Sequence, residues 1–137
     1  MKAGMMKSEV LHAMGAVLIA AVPMAAHHSF SAEYDATAMV TLKGIVSKVE
    51  WSNPHVHIYI EVKDQSGRVT TWDMEGAPPN ALKRNGITSD IVNVGDTITI
   101  TGYRARDNST RASRCEVITG DVKKHNIGGA GEFTTLR

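Results

Sequence analysis

Residues 55–62 read His55-Val56-His57-Ile58-Tyr59-Ile60-Glu61-Val62, and the fold is decided there. Val56, Ile58, Ile60 and Val62 alternate with His55, His57, Tyr59 and Glu61, the two-residue period of a strand with one face buried. Asp64-Gln65-Ser66-Gly67 then turns the chain into a second apolar-rich run, Val69–Glu75, so a hairpin is expected. Placing Ile60 opposite Trp72 and Ile58 opposite Met74 sends both apolar sets into one core. The same register sets His57 opposite Glu75, Tyr59 opposite Asp73 and Glu61 opposite Thr71.

Working outward, Val40–Trp51 is rich in β-branched residues and ends at the turn signal Ser52-Asn53-Pro54. After the hairpin, Pro78-Pro79 stops the third strand, and Asn80–Asn85 suits a short helix with Gly86 placed to cap it. Thr97–Tyr103 and Ala112–Thr119 follow as strands. Three strands, a helix and two strands predict a mainly β protein. The favoured form is a small five-stranded OB-like Greek-key barrel with its helix between strands three and four; an open meander or sandwich is the alternative. The expected barrel spans residues 40–119, preceded by an arm, 27–39, and followed by a Gly-rich flexible tail, 120–137.

The first 26 residues carry the three-part pattern of a secretory signal: Lys2 and Lys7, an apolar run from Val10 to Val22, then Pro23-Met24-Ala25-Ala26. Cleavage after Ala26 is favoured over Ala25. The apolar run is shorter than the ~20 residues a membrane span requires. The expected product is a periplasmic chain with no stable membrane span. Its 111 residues hold 13 basic and 13 acidic side chains, because Lys2, Lys7 and Glu9 leave with the signal. That balance carries no basic stripe for nucleic acid. Cys115 is the lone cysteine, which excludes an internal disulfide and suits a small core residue.

Two features point to metal chemistry. On the outward face of the hairpin, His55 and His57 point the same way, and a facing carboxylate such as Glu75 completes a nitrogen and oxygen set suited to copper or zinc. The other is the new terminus, His27-His28, whose free amine and imidazoles form a chelate suited to copper(II). The plainer reading is a solvated strand face and a polar chain end. Trp51 and Trp72 suit core or rim packing. Arg104, Arg106, Arg111 and Arg114 gather around the last hairpin, where a neutralised surface loop is the ordinary expectation. No Gly-x-Ser-x-Gly elbow, phosphate loop or His-Glu-x-x-His helix is present, so an enzyme is not expected.

Three blocks, His27-His28-Ser29-Phe30, Glu50-Trp51-Ser52-Asn53-Pro54-His55 and Glu75-Gly76-Ala77-Pro78-Pro79-Asn80-Ala81-Leu82, resemble the domain-of-unknown-function 6152 family of small exported bacterial proteins. The resemblance runs to about Thr119 and implies export and a compact β-rich domain, with no agreed activity. His57 stands where that family carries a larger apolar or aromatic residue. A joint His55/His57 site is therefore not implied by the resemblance, whereas one using His27, His28, His55 and a carboxylate such as Glu75 is less affected. The resulting expectation is a non-enzymatic periplasmic module that binds copper or zinc. The alternative is a metal-free module for an envelope protein, peptide or glycan.

Overall fold

The structure, a computed structural model, describes residues 30–128. Strands β2 (His57–Lys63) and β3 (Val69–Glu75) pair antiparallel in the register the alternation dictates: Ile58 with Met74, Tyr59 with Asp73, Ile60 with Trp72, Glu61 with Thr71. Ile58, Ile60 and Met74 are fully buried, and slipping by one residue would turn all three out to water. At the turn, the Asp64 carboxylate accepts the N–H groups of Ser66 and Arg68 at 2.8 and 3.0 Å, and Gly67 takes the left-handed φ of 87°. The Ser66 hydroxyl, then these backbone bonds, hold that carboxyl below its usual range.

Strand β1 (Tyr34–Glu50) is long enough to serve two neighbours. Its first part pairs with β4 (Thr97–Ala105) and its last part with β2. The crossover sits at Gly44, where a Cβ would lie 2.6 Å from the Glu61 carbonyl oxygen, so no larger residue fits without backbone movement. Strand β5 (Arg111–Ile118) runs antiparallel to β4, and its start pairs parallel with the end of β3, Asp73 with Arg111 and Glu75 with Ser113. The pairings thus run in a ring, β1-β2-β3-β5-β4-β1, around Val46, Ile58, Ile60, Met74, Ile98, Ile100 and Val117. A short helix α2 (Pro79–Arg84) follows β3 and sends Leu82 into the same core. Gly86, at φ 74°, ends it by donating to the Lys83 carbonyl at 3.0 Å. A helix α1 (Phe30–Glu33) precedes β1.

Both ends of the sheet extend past the boundaries expected from the sequence. Strand β1 begins at Tyr34 instead of Val40, because Tyr34 is itself buried and pairs with Ala105. The stretch expected as a flexible tail contributes a sixth strand, β6 (Lys124–Asn126), on the free edge of β5. One apolar residue explains this: Ile127 is fully buried, donates its N–H to the Cys115 carbonyl at 2.9 Å and accepts from Ala77 at 2.7 Å. The sheet therefore has six strands where five were expected. Cys115 is a buried free thiol whose pKa is pushed up by that burial. Among the described residues no helix is long and apolar enough to cross a membrane. The expected signal (1–26), His27, His28 and residues 129–137 lie outside the described residues.

Because Ile127 is core and not tail, Ile127→Ala is expected to lower stability by about 2–4 kcal/mol in urea denaturation. A change within about 0.5 kcal/mol, as at a solvated site, would contradict its placement.

A candidate histidine–carboxylate site

Glu75 ends β3, mostly covered, and both of its oxygens are engaged. Oε1 lies 2.7 Å from Nδ1 of His55, an ion-pair contact, and Oε2 accepts the hydroxyl of Tyr34. Tyr34 lies at the start of β1, 3% exposed, and its oxygen also accepts from Arg111 Nη2 at 3.1 Å. Arg111 reaches Glu33 as well, at 3.4 Å. A second pair stands beside the first: His57 Nδ1 lies 2.7 Å from Asp73 Oδ1. The His57 ring stacks on Tyr59 at 6.2 Å, and Tyr59 donates to Glu50 at 3.1 Å under the Lys48 ammonium.

An ionised carboxylate can only accept, so Nδ1 of His57 must donate to Asp73, and a proton on Nδ1 of His55 is the arrangement its contact with Glu75 favours. In the neutral ring that leaves the lone pair on Nε2, and neither Nε2 makes a hydrogen bond among the described residues. Each ring therefore faces a carboxylate through Nδ1 and makes no hydrogen bond through Nε2 among the described residues.

Of the residues expected at this site, His55 and Glu75 come together. His57 does not join them through Glu75, although the two are opposite in the register; its ring turns diagonally to Asp73. Two separate pairs result, and among the described residues no three His, Cys, Asp or Glu side chains converge into a ready-made ligand set. Sequence reasoning missed Tyr34, which stands 41 residues from Glu75. Its only signal was a lone aromatic between Glu33 and Asp35. Arg111, expected only as one cation of a neutralised surface loop, bonds Tyr34 and Glu33 instead.

Burial, then the hydrogen bond and charge of Glu75, raise the Tyr34 phenol well above its ordinary value, against a smaller opposing effect of Arg111. The folded state therefore keeps a proton that the unfolded chain gives up near pH ~10. Protons bound in excess by the folded state mean stability falls as pH rises above that point, by up to about 1.4 kcal/mol per pH unit. Tyr34→Phe should flatten the loss between pH 9.5 and 11 in chemical denaturation. Equal slopes for both proteins would show that Tyr34 is not held this way.

Among solved structures, the mitochondrial single-stranded DNA binding protein Rim1 of S. cerevisiae is similar at 12% identity. The match covers 60% of this chain and 95% of that one with a TM-score of 0.41. No curated protein matches the chain. A family model described only as a family of unknown function matches residues 16–114, which include α1, β1, both histidine–carboxylate pairs and the start of β5. The chain is a member of that family, DUF6152.

Proposed function

We propose that this protein is an exported, non-enzymatic binding module of the bacterial periplasm that holds one transition-metal ion, copper before zinc. The histidine face would be its site. The observation that carries this reading is the close approach of each Nδ1 to its own carboxylate, 2.7 Å in both pairs. Metal-binding histidines are commonly oriented in this way, the carboxylate behind the ring raising the basicity of the nitrogen that faces the metal. Imidazole nitrogen suits both copper and zinc. His55 and His57 would be ligands through Nε2. Glu75, its two oxygens already engaged, would act behind His55 and not on the metal.

Two imidazoles do not fill a coordination shell. A terminus at His27 supplies an amine and two more rings. Phe30 stacks on Tyr34 at 5.6 Å, and Tyr34 touches Glu75. In the same reading the ring of pairings is an OB-like Greek-key barrel, with β6 as an addition to its five strands.

A second reading, a metal-free module for an envelope protein or peptide, is favoured by one feature. From Met39 to Lys43 the edge of β1 away from β4 has no pairing partner among the described residues, and Met39 is 63% exposed. Such an edge accepts an extended peptide as an added strand.

The test is copper(II) titration of protein recovered from the periplasm, with its first residue determined on the same sample. One ion per chain bound below micromolar Kd is expected, weakened at least 100-fold in the double variant His55→Ala/His57→Ala. Binding weaker than micromolar, or indifferent to that variant, would overturn the metal reading. A partner retained in chelator and lost on Met39→Asp would favour the second.

A further inference from the structure

Arginines of the β4–β5 turn and of β5 hold the segment at residues 30–34. The Arg106 backbone N–H donates to the Glu33 carbonyl at 2.8 Å, and its Nε donates to the Ser31 carbonyl at 2.8 Å. Arg111 reaches Glu33 and Tyr34. Arg114 lies over the Phe30 ring, 3.5 Å from its centroid. Phe30 also stacks on Tyr34 at 5.6 Å and meets the edge of Tyr103 at 5.8 Å. A helix of one turn has no stability of its own, so α1 sits where these contacts hold it.

Arg114 takes a left-handed φ of 54°, where an L side chain is strained. It stands where the β4–β5 register breaks, between the pairs Thr101–Glu116 and Tyr103–Ser113. An irregular strand position thus carries the cation that covers Phe30.

Tyr34 follows α1 directly, and its hydroxyl donates to Glu75, whose other oxygen lies 2.7 Å from Nδ1 of His55. Phe30, Tyr34, Glu75 and His55 form one unbroken series of contacts from the arginine clamp to the candidate metal ligand. We infer that docking of residues 30–34 is coupled to the histidine site. With the arm seated, Tyr34, through its hydrogen bond, holds Glu75 against Nδ1 of His55 and so favours the ring protonated there. With the arm released, Glu75 loses that hydrogen bond and His55 its single orientation. Tyr34 is a positioning residue, and Phe30 and Arg114 hold it in place. The effect on metal affinity rests on the metal reading above, whereas the coupling itself is measurable without metal. Linkage makes it reciprocal: an ion that prefers the oriented ring must hold the arm down by the same factor.

The experiment uses the full chain carrying Arg114→Asn, which removes the cation at a φ that Asn tolerates, beside Arg114→Lys and Tyr34→Phe. In metal-free protein at pH 8.5, nitrogen NMR of the histidine rings should give wild-type His55 one tautomer, protonated on Nδ1. Arg114→Asn should speed amide exchange across residues 30–36 at least 10-fold and turn His55 into a tautomer mixture. The His57 signals should stay unchanged, and Arg114→Lys should restore most of both effects. Tyr34→Phe should mix the His55 tautomers with a smaller effect on the arm. Zinc affinity should fall about 10-fold in both Arg114→Asn and Tyr34→Phe, as for loss of a supporting hydrogen bond behind a ligand. Faster arm exchange with the His55 spectrum unaltered would overturn the coupling, as would an unaltered spectrum in Tyr34→Phe if Arg114→Asn does not fold. If zinc does not bind but His55 still follows the arm, the metal reading fails and the coupling stands.

Discussion

Glu75 is a mostly covered carboxylate with a partner for each oxygen, and the arrangement around it depends on that double engagement. A charge removed from water is tolerated when its hydrogen-bonding capacity is filled. Here the donors come from distant parts of the chain: His55 from the segment before β2 and Tyr34 from the head of β1. Arg111, at the head of β5, steadies the phenol from its other side. One side chain therefore joins the start of β1, the approach to β2, the end of β3 and the start of β5. Those are also the places where the ring of strands has to close.

The closure itself rests on packing and close approach. β3 and β5 meet over only three parallel pairs, Asp73–Arg111, Met74–Ala112 and Glu75–Ser113. Such a short pairing is held by what lies beneath it, the buried Met74, Ala112 and Cys115. Gly102 lets β4 and β5 approach closely, since a Cβ there would lie 2.8 Å from the Cys115 sulfur. Ile127 covers the end of the seam, bridging Cys115 and Ala77 through its backbone. The polar groups above the seam and the apolar groups below it support the same joint.

The hairpin was legible in the sequence because a period of two assigns every side chain of a strand to one face. Ile58, Ile60, Trp72 and Met74 admitted one register, and His57 opposite Glu75 followed from it. The helix ended by Gly86 was legible for a similar local reason. What escaped was non-local. Nothing near Tyr34 signals a bond to a carboxylate 41 residues away. A lone Ile127 among Lys, Gly and Asn carries no period, yet it docks a whole strand. Register also says which residues face each other, not which side chains bond. His57 took the diagonal carboxylate Asp73 because Glu75 was already engaged by His55 and Tyr34. The arginines looked like a surface patch because their partners belong to a segment more than 70 residues earlier.

The most direct measurement is a crystal structure of the protein loaded with zinc, with the metal located by its anomalous signal. Nε2 of His55 and of His57 should both lie about 2.0–2.1 Å from the ion, while each Nδ1 stays in contact with Glu75 or Asp73. A metal held through Nδ1, a ring turned away from its carboxylate, or an ion bound elsewhere on the chain would contradict the role assigned to the two pairs.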